Sequence, residues 1–335
     1  MSESAPMTDS KRRDVLINVA LATGIFLGLC VAAEVALRVV LLGKYNPFER
    51  DATLGVRLKS DYDGAYPRVR VRTDAHGRRI PADQNVDATG RFLFVGDSVT
   101  FGFSIESQYT FPILIADRLG ERADATVAAV PGYNLEQVIG LMRENLARVR
   151  PEFVVYGLVV NDVNSALTPT TYEALDPSAA RAAQGGLLSR SAFAAFLQRR
   201  LRRVSLRFIT QPEPEQRADN VIRDYSTQLP RDADAAFRRQ WRELEALQRE
   251  ADVPFYVFVA PYALQVDEEP GMRALQDYVA ELCVDSPLLC IDPLDEFLDA
   301  AGEPLFTAGS SYHYNETGHV LMAEWLLEQL RQPGS

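Results

Sequence analysis

The chain has 335 residues, of which 47% are hydrophobic and 24% are charged, and its formal net charge is −11. This length allows one large α/β domain with accessory segments or two small domains, and the composition argues against disorder of the whole chain. The acidic balance excludes a general nucleic-acid-binding protein, because attraction to phosphates requires a basic surface.

The first predicted element is an apolar helix near the amino terminus. Residues 15–33 are apolar apart from Asn18, Thr23 and the glycines, and a helix of that length spans about 28 Å, close to the thickness of a bilayer's hydrocarbon core. A cleaved signal peptide and a buried core helix are the alternatives. The run is longer than a typical signal-peptide core and lacks a clear cleavage site, and buried core helices are usually amphipathic. We therefore predict a transmembrane anchor over residues 15–42.

The charges around the anchor predict its orientation. Three basic residues at 11–13 precede the span, whereas Arg38 and Lys44 follow it. The excess of positive charge on the amino-terminal side favours a cytoplasmic tail over residues 1–14. The large domain is then expected outside the cytoplasm, which in a bacterium means a single-pass protein of the inner membrane that faces the periplasm.

A connector with short strands is predicted over residues 43–90, where residues 68–72 alternate as a half-exposed strand does. Strands and helices then alternate through a domain predicted at residues 91–335. Strands are predicted at residues 92–95, 126–130, 153–160, 254–260 and 288–291. Helices are predicted at residues 109–119, 134–149, 233–251, 271–283 and 316–330. The repeated strand–helix order predicts an α/β fold, a three-layer α/β/α sandwich with a mostly parallel five-stranded sheet.

An insertion is predicted at residues 163–232, because this stretch is rich in Pro, Ala, Gln and Arg and breaks the alternation. Within it, residues 189–209 mix Phe and Leu with arginines. A helix of that composition can lie on an anionic membrane surface. A solvated helix, or a lid packed over the site by its apolar face, is the reading we favour.

The strongest signal for chemistry is the heptad GDSVTFG at residues 96–102, directly after the first predicted strand of the domain. In open α/β sheets, sites form beyond the carboxyl ends of strands. A serine there, next to glycine, can present its hydroxyl and its own N–H to a ligand. Ser98 is therefore the candidate nucleophile, with Asp97 as a supporting residue. The alternative is an ordinary turn in which Asp97 or Ser98 caps the following helix.

A serine nucleophile needs a base, and the chain has only three histidines. His313 lies in the loop before the last predicted helix, at the same edge of the sheet, and is the candidate base. His319 falls inside that helix, where packing or capping is expected, and His76 lies in the connector without an evident acidic partner. Because histidines are so few, no metal site is expected, and the predicted chemistry needs no cofactor.

Donors for a developing oxyanion are predicted in two further loops. Gly132 follows the second strand and can present an unobstructed backbone N–H. Asn161 follows the third strand and can supply a side-chain amide, with Asp162 beside it as a supporting residue. Turn formation alone would also explain each of these residues, and it is their placement after successive strands that favours a site.

Together these segments resemble the SGNH hydrolase family, also called GDSL, which is named for Ser, Gly, Asn and His in its sequence blocks. The four residues that match, in family order, are Ser98, Gly132, Asn161 and His313. The resemblance covers about residues 91–331 without the insertion. Residues 72–78 are also similar to a segment that precedes the hydrolase domain in membrane-anchored, envelope-associated members. The resemblance implies a flavodoxin-like sheet and esterase, lipase or carbohydrate-deacetylase chemistry.

Two positions depart from the family pattern. Val159 stands where block III usually has glycine, and Ser310 stands where block V usually has the aspartate that precedes the histidine by three residues. That carboxylate orients the imidazole, and a related triad loses about 10⁴ in rate without it. A backbone carbonyl, Ser310 itself, or a carboxylate such as Asp292 or Asp295 could take its place.

Cys283 and Cys290 are close in sequence. If the domain is exported, they could form a disulfide that closes a short loop, and two buried free thiols are the alternative.

The combined prediction is a serine esterase or acyl hydrolase that acts on O-acyl groups of envelope glycans or lipids and is attached to the membrane through residues 15–42. Two alternatives remain open. One is an O-acyltransferase that uses a glycan hydroxyl in place of water. The other is a catalytically inactive SGNH-like protein with a glycan-binding or assembly role, which Ser310 favours.

Overall fold

A computed structural model describes residues 9–37, 46–66, 69–83, 91–120, 124–175, 231–268, 270, 272–310 and 312–331. The chain divides into two compact units, one of which contains the amino-terminal helix, whereas the other spans Asn46–Asp176 and Gln211–Ser335. Most of the predicted insertion at residues 163–232, including the amphipathic stretch at residues 189–209, lies outside the described residues.

The amino-terminal helix, α1, runs over Asp9–Leu37. Its segment Leu16–Ala36 has a mean hydropathy of 2.2 and none of it is buried, and it is the one helix in the described part of the chain that is long and apolar enough to cross a membrane. Such exposure fits a membrane span or a signal sequence better than the core helix of a soluble domain, because a core helix is covered by its neighbours.

The second unit contains a small hairpin and one large sheet. The strands are β1 (Phe48–Asp51), β2 (Gly55–Leu58), β3 (Asp63–Ala65), β4 (Arg70–Thr73), β5 (Arg79–Ile80), β6 (Phe92–Gly96), β7 (Ala125–Ala129), β8 (Phe153–Leu158), β9 (Phe255–Val259) and β10 (Leu289–Ile291). Strands β1 and β2 pair antiparallel, and the other eight form one sheet in the order β10-β9-β8-β6-β7-β5-β4-β3. Strands β6 to β10 are parallel in the flavodoxin-like order, and the predicted α/β class is confirmed.

The sheet has eight strands where the sequence predicts five. The five predicted parallel strands are present, and the difference comes from the connector, whose strands β3, β4 and β5 extend the sheet antiparallel. Arg79 of β5 pairs with Val127 of β7, which would otherwise be the edge of the parallel sheet. Pairing covers the open edge of β7, which would otherwise expose unpaired backbone groups. The connector is therefore part of the α/β domain.

The helices of the second unit flank the sheet. They are α2 (Ser98–Phe101), α3 (Phe111–Leu119), α4 (Leu135–Val149), α5 (Val160–Asn164), α6 (Tyr172–Leu175), α7 (Arg231–Ala251), α8 (Ala274–Cys283), α9 (Leu294–Asp299) and α10 (Glu316–Arg331). Helix α3 packs against α10, and α4 packs against α7. With right-handed crossovers these two pairs lie on opposite faces of the sheet, which gives three layers. Each of β6, β7 and β9 is buried along its whole length.

Helix α4 begins at a capping box. The Asn134 side chain accepts a hydrogen bond from the Gln137 N–H at 3.1 Å, and the Gln137 side chain accepts one from the Asn134 N–H at 3.4 Å. Two of the helix's free N–H groups are satisfied in this way. The cap at Asn134 ends the loop that carries Gly132.

Cys283 and Cys290 are joined by a disulfide across seven positions. It connects the end of α8 to β10, the outermost parallel strand. Closing a loop in this way stabilises the fold chiefly by restricting the unfolded chain.

Candidate active site

Three loops meet where the parallel strands end. Ser98 follows β6, Gly132 follows β7 and Asn161 follows β8. These strands are neighbours in the order β7-β6-β8, so their carboxyl ends lie side by side at the point where the strand order reverses.

The turn after β6 requires glycine. Gly96 has a φ of 152°, and a Cβ added to it would lie 2.5 Å from the Thr100 hydroxyl and 2.9 Å from the Gly157 carbonyl oxygen. Asp97 then caps α2, because its carboxylate accepts the Val99 N–H at 3.0 Å. The expected helix cap and the candidate nucleophile are therefore neighbours, and Ser98 is the first residue of α2.

His313 lies against Ser98. The His313 Nε2 is 3.0 Å from the Ser98 Oγ, and the His313 Nδ1 is 2.9 Å from the Ser310 Oγ. The ring stacks on Phe103, with 4.5 Å between the centroids and 24° between the planes. Burial lowers the pKa of His313 to about 4. The imidazole is therefore neutral near neutral pH, which a general base must be before it accepts a proton.

The two contacts of the imidazole determine its tautomer. If Nε2 accepts the Ser98 hydroxyl proton, Nδ1 carries the ring hydrogen and donates it to Ser310. Ser310 therefore occupies the position at Nδ1 that a carboxylate has in related triads. The carboxylates of Asp292 and Asp295 are held elsewhere, each 2.7 Å from the Arg273 guanidinium.

Asp97 competes with His313 for the serine proton. Its Oδ2 is 3.1 Å from the Ser98 Oγ and 3.4 Å from the Asn161 Nδ2. The hydroxyl has a single proton, so it can donate to only one of the two acceptors at a time. Burial raises the pKa of Asp97, because it disfavours the ionised form of the carboxyl group.

The predicted oxyanion donors lie on either side of the serine. The Asn161 side chain donates to the Tyr133 carbonyl at 3.1 Å, and its contact with Asp97 is long. Gly132 has a φ of 83°, a left-handed conformation that favours glycine, and its carbonyl accepts a hydrogen bond from the Thr170 hydroxyl. The Asn161 amide thus links the loop after β7 to Asp97.

Asp162 does not contact the serine. Its carboxylate accepts the Val159 N–H at 2.8 Å at the start of α5. Burial and then the negative charge of Asp97 raise its pKa well above the usual value. Val159, the residue that replaces the family's glycine, is the cap of this short helix.

The other two histidines lie outside the cluster. His319 is buried, and its Nδ1 accepts the Phe111 N–H at 3.3 Å, so it has the packing and capping role expected for it. Burial, the charge of Arg79 and then that of His313 lower the pKa of His319 to about 3. His76 contacts the Arg148 guanidinium at 3.1 Å.

Sequence reasoning missed two residues beside the site. Phe103 stacks on His313, and Arg79 from the connector reaches the loop that carries Phe103. A phenylalanine next to the heptad at residues 96–102 is a weak signal, because aromatic residues are common in cores. Arg79 gave no signal, since an arginine in a short alternating strand usually faces solvent.

The strand order and the loops at this sheet edge define the SGNH hydrolase fold. The chain belongs to the GDSL-like lipase/acylhydrolase family, whose model matches residues 94–321, more than half of the sequence. Members of this family hydrolyse ester bonds, and the protein is accordingly an ester hydrolase by family.

Solved structures of this fold are similar at low sequence identity. A G-D-S-L family protein from Desulfitobacterium hafniense is 10% identical, with a TM-score of 0.43, covering 71% of this chain and 98% of its own. An α/β hydrolase from the metagenome of Lake Arreo, Spain, is 14% identical, with a TM-score of 0.42, covering 75% and 99%. An acetylxylan esterase from Geobacillus stearothermophilus, solved as a catalytic mutant, is 13% identical, with a TM-score of 0.42, covering 74% and 96%. No curated protein matches the sequence.

Proposed function

We propose that the protein is a serine esterase in which Ser98 is the nucleophile and His313 is the general base. The observation that carries this proposal is the 3.0 Å separation between the His313 Nε2 and the Ser98 Oγ in a buried site. This distance is within the range for direct proton transfer.

In the first half of the reaction, His313 Nε2 takes the hydroxyl proton as Ser98 Oγ bonds to the ester carbonyl carbon. The carbonyl oxygen becomes an oxyanion, for which the N–H groups of Ser98 and Gly132 and the Asn161 amide are the donors. The bond to the alcohol then breaks, and His313 returns the proton to the leaving oxygen. An acyl-enzyme on Ser98 remains.

In the second half, His313 takes a proton from water, whose oxygen bonds to the acyl carbon. The bond to Ser98 Oγ breaks, and His313 returns the proton to that oxygen. The products are a carboxylic acid and the free enzyme.

Ser310 supports the base without a negative charge. Its hydroxyl oxygen accepts the Nδ1 hydrogen, which keeps the ring in the tautomer that leaves Nε2 free to accept. A hydroxyl stabilises an imidazolium less than a carboxylate does. We therefore expect His313 to be correctly oriented by Ser310 but to be a weaker base than the histidine of a triad with a carboxylate.

The pH dependence of kcat/KM is expected to reflect this weak base. The neutral imidazole is the active form, so activity should be lost as the pH falls through the pKa of His313, at about 4, and not near the usual 6.5. Changing Ser310→Asp should stabilise the imidazolium, raise that pKa and move the acid limb upward. The measurement is the acid limb of kcat/KM for a soluble acetate ester, and an unchanged limb in Ser310→Asp would contradict the assignment.

The nucleophile is tested by the change Ser98→Ala. Hydrolysis of p-nitrophenyl acetate by the purified protein should fall by about 10⁴-fold or more, since the acyl-enzyme cannot form. Ser107→Ala is the matched control, because Ser107 is also a buried serine and its hydroxyl has no hydrogen-bond partner among the described residues. If Ser98→Ala keeps the wild-type rate, Ser98 is not the nucleophile and the proposal is wrong.

We further propose that residues 15–42, which include the apolar part of α1, are an uncleaved membrane anchor, and that residues 1–14 are cytoplasmic. The hydrolase domain then acts outside the cytoplasm, on O-acyl groups of envelope glycans or lipids. The length and hydropathy of Leu16–Ala36 support the span. The disulfide Cys283–Cys290 supports an oxidising compartment, because such bonds are rare in the cytoplasm.

The topology predicts that alkaline phosphatase fused to the carboxyl terminus of the full chain is active in a bacterial host, since that reporter folds only after export. A cytoplasmic reporter fused at the same position should be inactive. The reverse pattern would contradict both the orientation and the expected compartment.

A further inference from the structure

A buried arginine from the connector lies beneath the active site. Arg79, in β5, is 2% exposed. Its guanidinium donates to three backbone carbonyls, those of Phe101, Gly102 and Ile105, with 2.8 Å to the Gly102 oxygen. It also lies over the Phe101 ring, 4.4 Å from the centroid.

The guanidinium keeps its positive charge in this position. Burial lowers the pKa of Arg79 to about 9, while the negative charge of Glu106 opposes that shift. The group is therefore protonated at neutral pH. Burying a charge is costly unless hydrogen bonds compensate, and here backbone oxygens supply them.

The three carbonyls belong to the segment that begins three residues after Ser98, one member of the proposed Ser98–His313 dyad, and that contains Phe103. Phe101 is the last residue of α2, whose first residue is Ser98. The segment turns back on the serine, because the Phe103 N–H donates to the Ser98 carbonyl at 3.0 Å. The Phe103 ring in turn stacks on His313.

The turn contains two residues with positive φ. Gly102 has a φ of 74°, and a Cβ added there would lie 2.2 Å from the Thr110 Cγ2 and 3.1 Å from the Arg79 guanidinium. Ser104 has a φ of 67°, an unusual conformation for a residue other than glycine. Such conformations persist only where the surroundings hold them. The guanidinium is hydrogen-bonded to the carbonyls on both sides of Ser104 and is therefore one of the groups that hold this stretch.

We propose that Arg79 is a positioning residue for ester hydrolysis, acting through the carbonyls of residues 101–105 to hold Ser98 and the Phe103 ring that supports His313. The proposal rests on the proposed function, since it presupposes the dyad. It assigns a role in the reaction to the connector, which lies outside residues 94–321 that match the family model.

The test compares three variants of the full chain. Arg79→Gln removes the charge and part of the hydrogen bonding, whereas Arg79→Lys keeps the charge and a three-donor head group. Arg78→Gln is the matched control, because Arg78 is also buried but pairs with Asp74 at 2.6 Å, within the connector itself. Thermal unfolding gives the folded fraction, to which kcat and KM for p-nitrophenyl acetate are normalised.

Arg79→Gln should lower kcat by about 10- to 100-fold with KM within about twofold of wild type, since small displacements of reacting groups have effects of this size. Arg79→Lys should recover part of the loss, and Arg78→Gln should keep the wild-type kcat even if it unfolds at a lower temperature. Equal kcat in Arg79→Gln and wild type overturns the proposal, as does an equal loss in Arg78→Gln.

If Arg79→Gln does not fold, kcat of Arg79→Lys is compared with that of wild type and of Arg78→Gln instead. If neither Arg79 variant folds, Arg79 is needed for folding alone, and the proposal is overturned. The proposed function fails separately, through Ser98→Ala. If Arg79→Gln has the wild-type kcat and Ser98→Ala is inactive, the positioning role of Arg79 is wrong and the proposed esterase function stands.

Discussion

The change His313→Ala is expected to lower kcat for ester hydrolysis by about 10⁴-fold or more. Without the imidazole, the one acceptor hydrogen-bonded to the Ser98 hydroxyl among the described residues is the Asp97 carboxylate, at 3.1 Å. Burial raises the pKa of Asp97, but this carboxylate also accepts the Val99 N–H and is held as the cap of α2. We therefore expect Asp97 not to replace the base.

The dyad also predicts non-additivity. The double variant Ser98→Ala/His313→Ala should be no slower than either single variant, because the two groups act as one unit. His76→Ala is the control, since the His76 ring contacts the Arg148 guanidinium and lies outside the cluster around Ser98. If the loss of kcat in the double variant equals the product of the two single losses, Ser98 and His313 act independently, which would contradict the account.

The second large effect is expected from Asn161→Ala. Loss of one oxyanion donor typically costs about 10² to 10³ in kcat. KM should change little, because the negative charge develops only in the transition state. The long 3.4 Å contact between the Asn161 Nδ2 and Asp97 leaves one N–H weakly held and able to turn toward the substrate oxygen.

Asn145→Ala is the matched control for this variant. Asn145 is a buried asparagine whose side chain donates to the Leu141 carbonyl at 2.8 Å within α4. It should lower the unfolding temperature without affecting kcat of the folded protein. If Asn161→Ala raises KM and leaves kcat unchanged, the amide binds the ground state of the substrate and is not an oxyanion donor.

The parallel sheet could be predicted from the sequence because its strands are buried on both faces. Residues 92–95 form an unbroken apolar run, and β6 is buried from Phe92 to Gly96. The predicted ends of helices and strands differ from the observed ends by a few residues, since caps and turns decide them.

The connector could not be placed from its sequence. Its strands β3 to β5 have two to four residues each, too few for periodicity to show which sheet they join. Their position depends on the free edge of β7, a property of the assembled sheet. The contacts of Arg79 could not be predicted either. Its three partners are backbone carbonyls, and no sequence pattern identifies a backbone partner.

The site was predictable in its parts but not in its contacts. The order of the strands placed Ser98 and Asn161 at one edge, since loops after neighbouring parallel strands must meet. The partner of His313 was left among several candidates. The structure has the Ser310 hydroxyl at Nδ1, whereas Asp292 and Asp295 pair with Arg273. Arg273 is distant in sequence from His313, so the sequence could not exclude either carboxylate.

The most direct test of the account is the location of a covalent adduct after reaction with a fluorophosphonate, which traps an activated serine as a stable phosphonyl ester. Mass spectrometry of the digested protein should find one adduct, on Ser98, in the wild type, and little or none in His313→Ala at the same reaction time. An adduct on another residue, or equal labelling of the wild type and Ser98→Ala, would contradict the assignment of the nucleophile.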